Sequence, residues 1–185
     1  MTASPPSTAS PEVGWGVVGT GRVATQVAKA LRATAAARAV KVLSRDSERG
    51  LSFATDHGVD GVCTSMNELL SDDLVSVVYV ASPNGAHVEQ VVAAARAGKH
   101  VLCEKPMAND LEGCRRMAEA CAAAGVQLGI GFQYRQHPAH VQIRSMIREG
   151  AIGQPLVADA SICLHRWRFR VGTTTRTSLA GEWSG

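Results

Sequence analysis

The sequence predicts an α/β protein built on a doubly wound parallel sheet. Short runs of β-branched residues alternate with Ala-rich segments of helical periodicity from Val13 onward. The connections are short and often contain glycine, which favours parallel strands joined by helical crossovers. Glycines at 58, 98, 125 and 150 follow helical segments, where a left-handed residue commonly ends a helix.

The predicted elements alternate along most of the chain. Strands are expected at 13–18, 40–44, 62–64, 74–81, 100–103 and 127–132, and helices at 22–34, 47–57, 66–70, 86–97 and 111–124. The run 74–81 is the most apolar, as expected for a central strand that is covered on both faces. A helix at 138–149 and a strand at 155–164 then predict the entrance to a second domain.

Composition and charge exclude several classes of protein. The chain is 45% hydrophobic and 19% charged, which is ordinary for a globular protein, and no apolar run reaches the length of a membrane span. Four arginines and one glutamate lie in 161–185, so the remainder is balanced and lacks the basic face of a nucleic-acid binder. The beginning of the sequence does not resemble a secretory signal, which favours a cytoplasmic location.

The five cysteines predict free thiols rather than disulfides. Their number is odd and none forms a C-x-x-C pair, as is usual in a reducing cytosol. Cys63 and Cys103 lie in strand-like runs and are expected to be buried and inert. We expect no metal site.

A glycine-rich turn follows the first predicted strand. The segment Gly19-Thr20-Gly21-Arg22-Val23-Ala24 is a G-x-G-x-x-A pattern at the start of the first helix. Gly19 permits a tight turn, Gly21 lets the backbone approach a pyrophosphate, and Ala24 keeps the helix close to the sheet. The helix N-terminus adds N–H donors and a positive dipole, so the turn predicts a dinucleotide site.

The end of the second strand is expected to select the cofactor. Ser44 and Arg45 are suited to the 2′-phosphate of NADP, and the guanidinium of Arg45 can also stack on adenine. In a second interpretation Arg45 is solvated and Asp46 caps the next helix, and in a third Asp46 binds the ribose 2′-OH of NAD. We favour NADP, with NAD as the less favoured cofactor.

Two further loops follow central strands. Ser82, Pro83, Asn84 and His87 come after the most apolar strand, although Asn84 can also be a helix cap and His87 a surface residue. Glu104 and Lys105 end the next strand, where neighbouring side chains point to opposite faces and do not simply pair. A lysine at this edge can direct its ammonium into the cleft and stabilise a developing alkoxide.

Together these motifs resemble the Gfo/Idh/MocA family of NAD(P)-dependent oxidoreductases. The resemblance includes the G-x-G-x-x-A turn, the S-P-N-x-x-H loop, the E-K-P strand end and the passage Phe132–Pro138. The run Met146–Gly153 is similar to the family's helix leading into its second domain. Trp167-Arg168 is similar to a W-R pair that touches the cofactor in some members.

The resemblance implies a Rossmann domain followed by an α/β domain with an open antiparallel sheet. It implies hydride transfer between the nicotinamide and a sugar, a cyclitol or a related alcohol or ketone. Lys105 would orient the reacting oxygen, the glycine turn would hold the pyrophosphate, and Ser44 and Arg45 the adenosine end. Ser82, Pro83, Asn84, His87 and Glu104 would lie on the nicotinamide side.

The sequence departs from the family after Arg168. Members carry an Asp and a His there as part of the general acid/base apparatus, and nothing in 171–185 matches them. We therefore expect a disordered leader at 1–12, a Rossmann domain at 13–135 and an incomplete substrate and oligomerisation domain at 136–185, from truncation or a frame shift. The alternative to an active enzyme is a catalytically impaired dinucleotide-binding remnant or an interaction module. A homo-oligomer would lack the family's usual interface.

Overall fold

Six parallel strands form the centre of the molecule in the computed structural model, which describes residues 12–159. They are β1 (Val13–Val18), β2 (Ala37–Leu43), β3 (Gly61–Cys63), β4 (Val77–Val80), β5 (His100–Cys103) and β6 (Leu128–Ile130). Their order across the sheet is β3-β2-β1-β4-β5-β6, and every neighbouring pair is parallel. The strand order reverses direction between β1 and β4.

Within the described residues a helix follows each strand, and the first five helices connect one strand to the next. The helices are α1 (Arg22–Arg32), α2 (Ser47–His57), α3 (Met66–Leu70), α4 (His87–Arg96), α5 (Leu111–Ala123) and α6 (Pro138–Arg148). Short 3-10 turns precede α4 at Asn84–Ala86 and α6 at Gln133–Gln136. The predicted doubly wound α/β fold is confirmed.

Two apolar clusters hold the helices against the sheet. In one cluster, buried sheet residues pack with side chains of α1 and α2: Val17, Val42, Tyr79, Ala24, Ala28, Leu31 and Phe53. In the other, sheet residues pack with α3, α4 and α5: Val78, Val80, Val101, Leu69, Val91, Met117 and Cys121. Because β4 contributes to both clusters, it is the central strand that its apolar sequence predicts.

The observed strand limits differ from the expected ones where pairing decides them. β2 begins at Ala37 rather than at residue 40, because Ala37 pairs with Val13 of β1. β4 is shorter than the run 74–81, since its partners on β1 extend only over Trp15–Val18. The strand expected at 155–164 is wrong for 155–159, which form no strand. A strand needs a neighbour for its backbone hydrogen bonds, and no described residue pairs with these five.

The chain divides into two compact units between His137 and Pro138. In the described part of the second unit, α6 exposes Ile143, Met146 and Ile147. Residues 1–11 of the leader predicted at 1–12 and the segment from residue 160 onward lie outside the described residues, so the expected domains at either end stay predictions. No helix in 12–159 is both long and apolar enough to cross a membrane.

The cysteines within 12–159 are free. Cys63 and Cys103 are buried, as expected, and burial raises the pKa of the Cys63 thiol to about 11 and that of Cys103 to about 12. Both thiols are therefore protonated at neutral pH. They are inert there because the thiolate is the reactive form. The fifth cysteine, Cys163, is outside the described residues.

Candidate functional site

A cavity of about 920 Å³ opens at the carboxyl edge of the sheet. It is lined by residues 18–21 at the end of β1, 43–46 at the end of β2 and 81–83 and 85–86 after β4, together with Arg49 and Gln90. These strands flank the point where the strand order reverses, which is where open α/β sheets bind ligands. Two of the four predicted motifs, together with Ser82 and Pro83 of a third, therefore lie around one cavity.

Three residues of the glycine turn, Gly19, Thr20 and Gly21, line this cavity. Gly19 has a φ of +106°, and a Cβ built on it would lie 2.9 Å from the Ala81 carbonyl oxygen. Its N–H donates to the Leu43 carbonyl at 3.0 Å, which ties the turn to the end of β2. Gly21 has an ordinary φ, and a Cβ built there would meet nothing within 4 Å. Gly19 is therefore required by the fold, whereas Gly21 keeps open space beside the cavity.

The start of α1 differs from the starts of three other helices. α2, α3 and α5 each begin with a side-chain cap, from Asp46, Ser65 and Asp110 respectively, and each has a glutamate in the first turn. α1 begins after Gly21 with no side-chain cap from the described residues and no acidic residue in its first turn. Uncapped N–H groups and the helix dipole together favour an anion.

The remaining residues of the glycine motif occupy different environments. Thr20 is half-buried and lines the cavity, while Arg22 is exposed and Val23 is half-buried, and neither of the last two is part of the lining. Ala24 is fully buried against the sheet. A larger side chain at residue 24 would push α1 away from β1, which agrees with the role expected from the sequence.

The loop after β2 and the first turn of α2 bring two arginines to the cavity. Arg45 and Arg49 are both exposed and both line it. Ser44 is buried, and its hydroxyl donates to the Asp46 carbonyl at 2.7 Å and accepts from the Asp46 N–H at 3.3 Å, so it shapes the loop. Asp46 caps α2 by accepting from the Arg49 N–H at 3.1 Å. Sequence reasoning missed Arg49. Its position three residues after Asp46, the cap of the same helix, indicated that it lies close to this loop.

The loop after β4 is held by α4. Ser82 and Pro83 line the cavity, and the Ser82 hydroxyl donates to Gln90 Oε1 at 2.6 Å. Asn84 begins the 3-10 turn and does not cap α4, whose preceding residue is Ala86. His87 is fully buried rather than on the surface, and lies behind the cavity wall. Contact of Asn84 and His87 with a dinucleotide stays a prediction.

Glu104 is held by a tyrosine that sequence reasoning did not single out. The hydroxyl of the fully buried Tyr79 donates to Glu104 Oε1 at 2.7 Å, and Glu104 Oε2 accepts from the Lys105 backbone N–H at 3.3 Å. Burial, and then the bond to Glu104, raises the pKa of Tyr79 far above its ordinary value. A Cβ on Gly131 would lie 2.9 Å from Glu104 Oε1, so a glycine there makes room for the carboxylate.

Lys105 follows β5, and its side chain is exposed. Neither Glu104 nor Lys105 is among the residues that line the cavity. The sequence did contain a signal for the bond between Tyr79 and Glu104. Tyr79 lies in the most apolar predicted strand, and a buried phenol normally has a hydrogen-bond partner. Trp167 and Arg168 lie outside the described residues. In the part of the chain that the structure describes, no group of three or more His, Cys, Asp or Glu could hold a metal.

Comparison with known proteins identifies the fold family. A family model described as the GFO_IDH_MocA oxidoreductase family with an NAD-binding Rossmann fold matches residues 13–132. The chain belongs to the Gfo/Idh/MocA oxidoreductase family. The match covers the glycine turn, all six strands and the loops after β4 and β5.

Relatives in this family act on sugar-like compounds according to their names. The chain is 45% identical over 145 residues to 1,5-anhydro-D-fructose reductase of Ensifer adhaerens, covering 78% of this chain and 43% of that protein. It is 35% identical over 153 residues to inositol 2-dehydrogenase 3 of Saccharopolyspora erythraea, covering 82% and 44%.

A solved structure shares the fold. Levoglucosan dehydrogenase, in complex with NADH and levoglucosan, has a TM-score of 0.74 and 28% identity, over 77% of this chain and 41% of that one. This chain thus spans less than half the length of each protein compared.

Proposed function

We propose that this chain is the cofactor-binding part of an NADP-dependent oxidoreductase. The observation that carries the proposal is the uncapped N-terminus of α1 above the Gly19–Gly21 turn, at the edge of a cavity of about 920 Å³. The residues fit a dinucleotide, since the turn leaves open space at Gly21 and the helix offers unused N–H groups. Gly19, Thr20 and Gly21 would hold the pyrophosphate.

The adenosine end is proposed to lie beside β2. Arg45 and Arg49 place two cations at the cavity, and a guanidinium suits the 2′-phosphate that distinguishes NADP from NAD. Asp46 already accepts from the Arg49 N–H as the cap of α2. This favours NADP over the interpretation in which Asp46 binds the ribose of NAD, and NAD is the second candidate.

The nicotinamide end is proposed to lie beside β4 and β5. A bound nicotinamide supplies or accepts the hydride. The exposed Lys105 ammonium would orient the reacting oxygen of the substrate and stabilise its negative charge, and Ser82, Pro83 and Glu104 would lie on the same side. The substrate class we propose is a sugar, a cyclitol or a related ketone, which is supported by the names of the reductase and the inositol dehydrogenase relatives.

The cofactor proposal is tested by titrating the chain with NADPH and with NADH. We expect tighter binding of NADPH, and Arg45→Ala and Arg49→Ala should each weaken it roughly tenfold or more, because each removes a charge-assisted hydrogen bond. Their affinity for NADH should hardly change. Arg96→Ala is the matched control, because Arg96 is an exposed arginine in the last turn of α4. An unaltered NADPH preference in both variants would refute the assignment of NADP.

The catalytic proposal is tested with Lys105→Met, which keeps the length of the side chain and removes its charge. Oxidation of NADPH by a panel of ketosugars and inosose-type ketones should slow by roughly 100-fold or more, because the charge that stabilises the alkoxide is lost. Affinity for NADPH should persist. Turnover that is insensitive to this substitution would refute the role of Lys105. Binding of NADPH without turnover of any ketone would favour the alternative, a dinucleotide-binding module.

A further inference from the structure

His87 is an unusual residue for the interior of a protein. It begins α4, its side chain is 0% exposed, and Ser44 is the other buried polar residue among those the structure describes. A buried imidazole is stable only where its nitrogens find hydrogen-bond partners. The contacts of this ring therefore indicate what it does in the fold.

Both ring nitrogens of His87 face backbone carbonyl oxygens. Nδ1 lies 3.0 Å from the Pro106 oxygen, and Nε2 lies 3.0 Å from the Ser82 oxygen. A carbonyl can only accept, so a ring nitrogen bonds it when it carries a hydrogen, and an imidazole always carries at least one. The ring thus stands between the loop after β4 and the loop after β5.

These two loops carry the groups proposed for the nicotinamide side. Ser82 lines the cavity, and Lys105 directly precedes Pro106 in the chain. Gln90, one turn further along α4, accepts from the Ser82 hydroxyl at 2.6 Å and so holds the same loop a second time. The loop that bears Lys105 has no equivalent second hydrogen bond from α4 among those the structure describes, so its hydrogen-bonded link to α4 depends on His87.

We propose that His87 is a positioning residue, which sets the distance between the Ser82 loop and the Lys105 loop from behind the cavity wall. The inference rests on the proposed function, because it assigns these loops to the nicotinamide half of the dinucleotide. Since His87 is fully buried, it acts through the two backbones and not by touching the ligand. The two described hydrogen bonds of the ring go to neither of the loops after β1 and β2, which are proposed to hold the other half of the dinucleotide.

The test compares a whole dinucleotide with its adenosine half. NADPH and 2′,5′-ADP are titrated against the unsubstituted chain and against His87→Leu, which fills a similar volume with an apolar side chain and removes both ring nitrogens. We expect His87→Leu to weaken NADPH binding roughly tenfold, because the hydrogen bonding between the ring and the two loops is lost. Binding of 2′,5′-ADP should stay the same, because its site is formed by the loops after β1 and β2.

Two further variants separate positioning from general stability. Val91→Ala removes volume from the same helix at a fully buried apolar position, so it should lower Tm while leaving both affinities unchanged. His87→Gln restores an N–H donor and should recover part of the NADPH affinity. If His87→Leu does not fold, the comparison is made with His87→Asn, whose shorter amide reaches one loop at most.

The outcomes are distinguishable. An equal loss for both nucleotides in the His87 variants, or no loss for either, would overturn the positioning role and leave the proposed function intact. If the unsubstituted chain binds 2′,5′-ADP but not NADPH, the adenosine site stands and the inference about His87 falls. If it binds neither nucleotide, nor NADH, the proposed function fails and the inference fails with it.

Discussion

The two halves of the carboxyl edge are built differently. Beside β1 and β2, the cavity offers backbone N–H groups of α1 and the exposed side chains of Arg45 and Arg49. Beside β4 and β5, the polar side chains of Tyr79 and His87 are fully buried and are used within the protein. The first half has backbone N–H groups that no described side chain caps, while in the second half the buried polar groups form hydrogen bonds within the protein.

The difference lies in the range of the interactions. The start of α1 at Gly21 and the cap of α2 by Asp46 each involve residues within one helical turn of each other. Tyr79 and Glu104 are 25 positions apart, and His87 and Pro106 are 19 apart. Local contacts form whenever the strand and helix form, whereas the distant pairs require β4 and β5 to be side by side. We therefore expect substitutions to affect the two halves in different ways.

The largest effect on stability is expected for Gly19→Ala. Alanine is strained at a φ of +106°, and its Cβ would lie 2.9 Å from the Ala81 carbonyl oxygen, so the free energy of unfolding should fall by about 3 kcal/mol. Urea denaturation measures it. Gly21→Ala is the matched control, because its Cβ meets open space and its φ is ordinary. It should keep the stability and lose NADPH affinity. Equal stability of both variants would contradict the distinct roles of the two glycines.

A smaller effect is expected for Tyr79→Phe, which removes the hydroxyl that bonds Glu104. Stability at neutral pH should fall by about 1.5 kcal/mol, because the half-buried carboxylate loses a donor. The raised pKa of Tyr79 adds a pH dependence. Above the pKa of an unfolded tyrosine, about 10, the unfolded chain loses a proton that the folded chain keeps, so stability falls as pH rises.

Tyr79→Phe should lack this part of the fall in stability at high pH, because it has no phenol to titrate. Denaturation curves from pH 7 to pH 10.5 would measure both effects. Parallel curves for the two proteins over this range would show that the phenol does not contribute to the pH dependence. An unchanged stability at pH 7 would show that the bond to Glu104 is replaced by water without loss.

The smallest effect is expected for the ion pair between Lys41 and Asp72, which lies outside both halves and serves as a reference. Their atoms Nζ and Oδ2 are 2.7 Å apart, and each side chain is about one-fifth exposed. Lys41→Met should lower the free energy of unfolding by about 0.5 kcal/mol at pH 7. The hydrogen bond from Lys41 lowers the pKa of Asp72, so this contribution is present above the unfolded value of about 3.9 and is lost as pH falls below it.

Urea denaturation at pH 7 and pH 3.5 would measure the difference. Arg38→Met is the control, because the pair of Arg38 with Asp60 is more exposed and should contribute less. A difference between Lys41→Met and the unsubstituted chain that is as large at pH 3.5 as at pH 7 would assign the effect to packing rather than to charge.

Much of the fold follows from local pattern. The helices Ser47–His57 and Met66–Leu70 begin and end at the predicted residues, because Asp46 and Ser65 cap them and because turn residues follow. The ends of β2 and β4 are not predicted correctly, since the partners on β1 decide them. Residues 155–159 form no strand for a related reason. Alternating apolar and polar residues form a strand only where a second strand is present to pair with them.

The amino-acid sequence by itself determined the alternation of strands and helices, the cap of α2 by Asp46 and the open start of α1. Each depends on residues that are close together in the chain, whose conformational preferences act before any packing. Only the tertiary structure decided that Arg49 reaches the cavity, that Tyr79 holds Glu104 and that His87 stands between two loops. Those contacts arise when separate strands and helices are brought together, and the geometry that makes them is absent from any single segment.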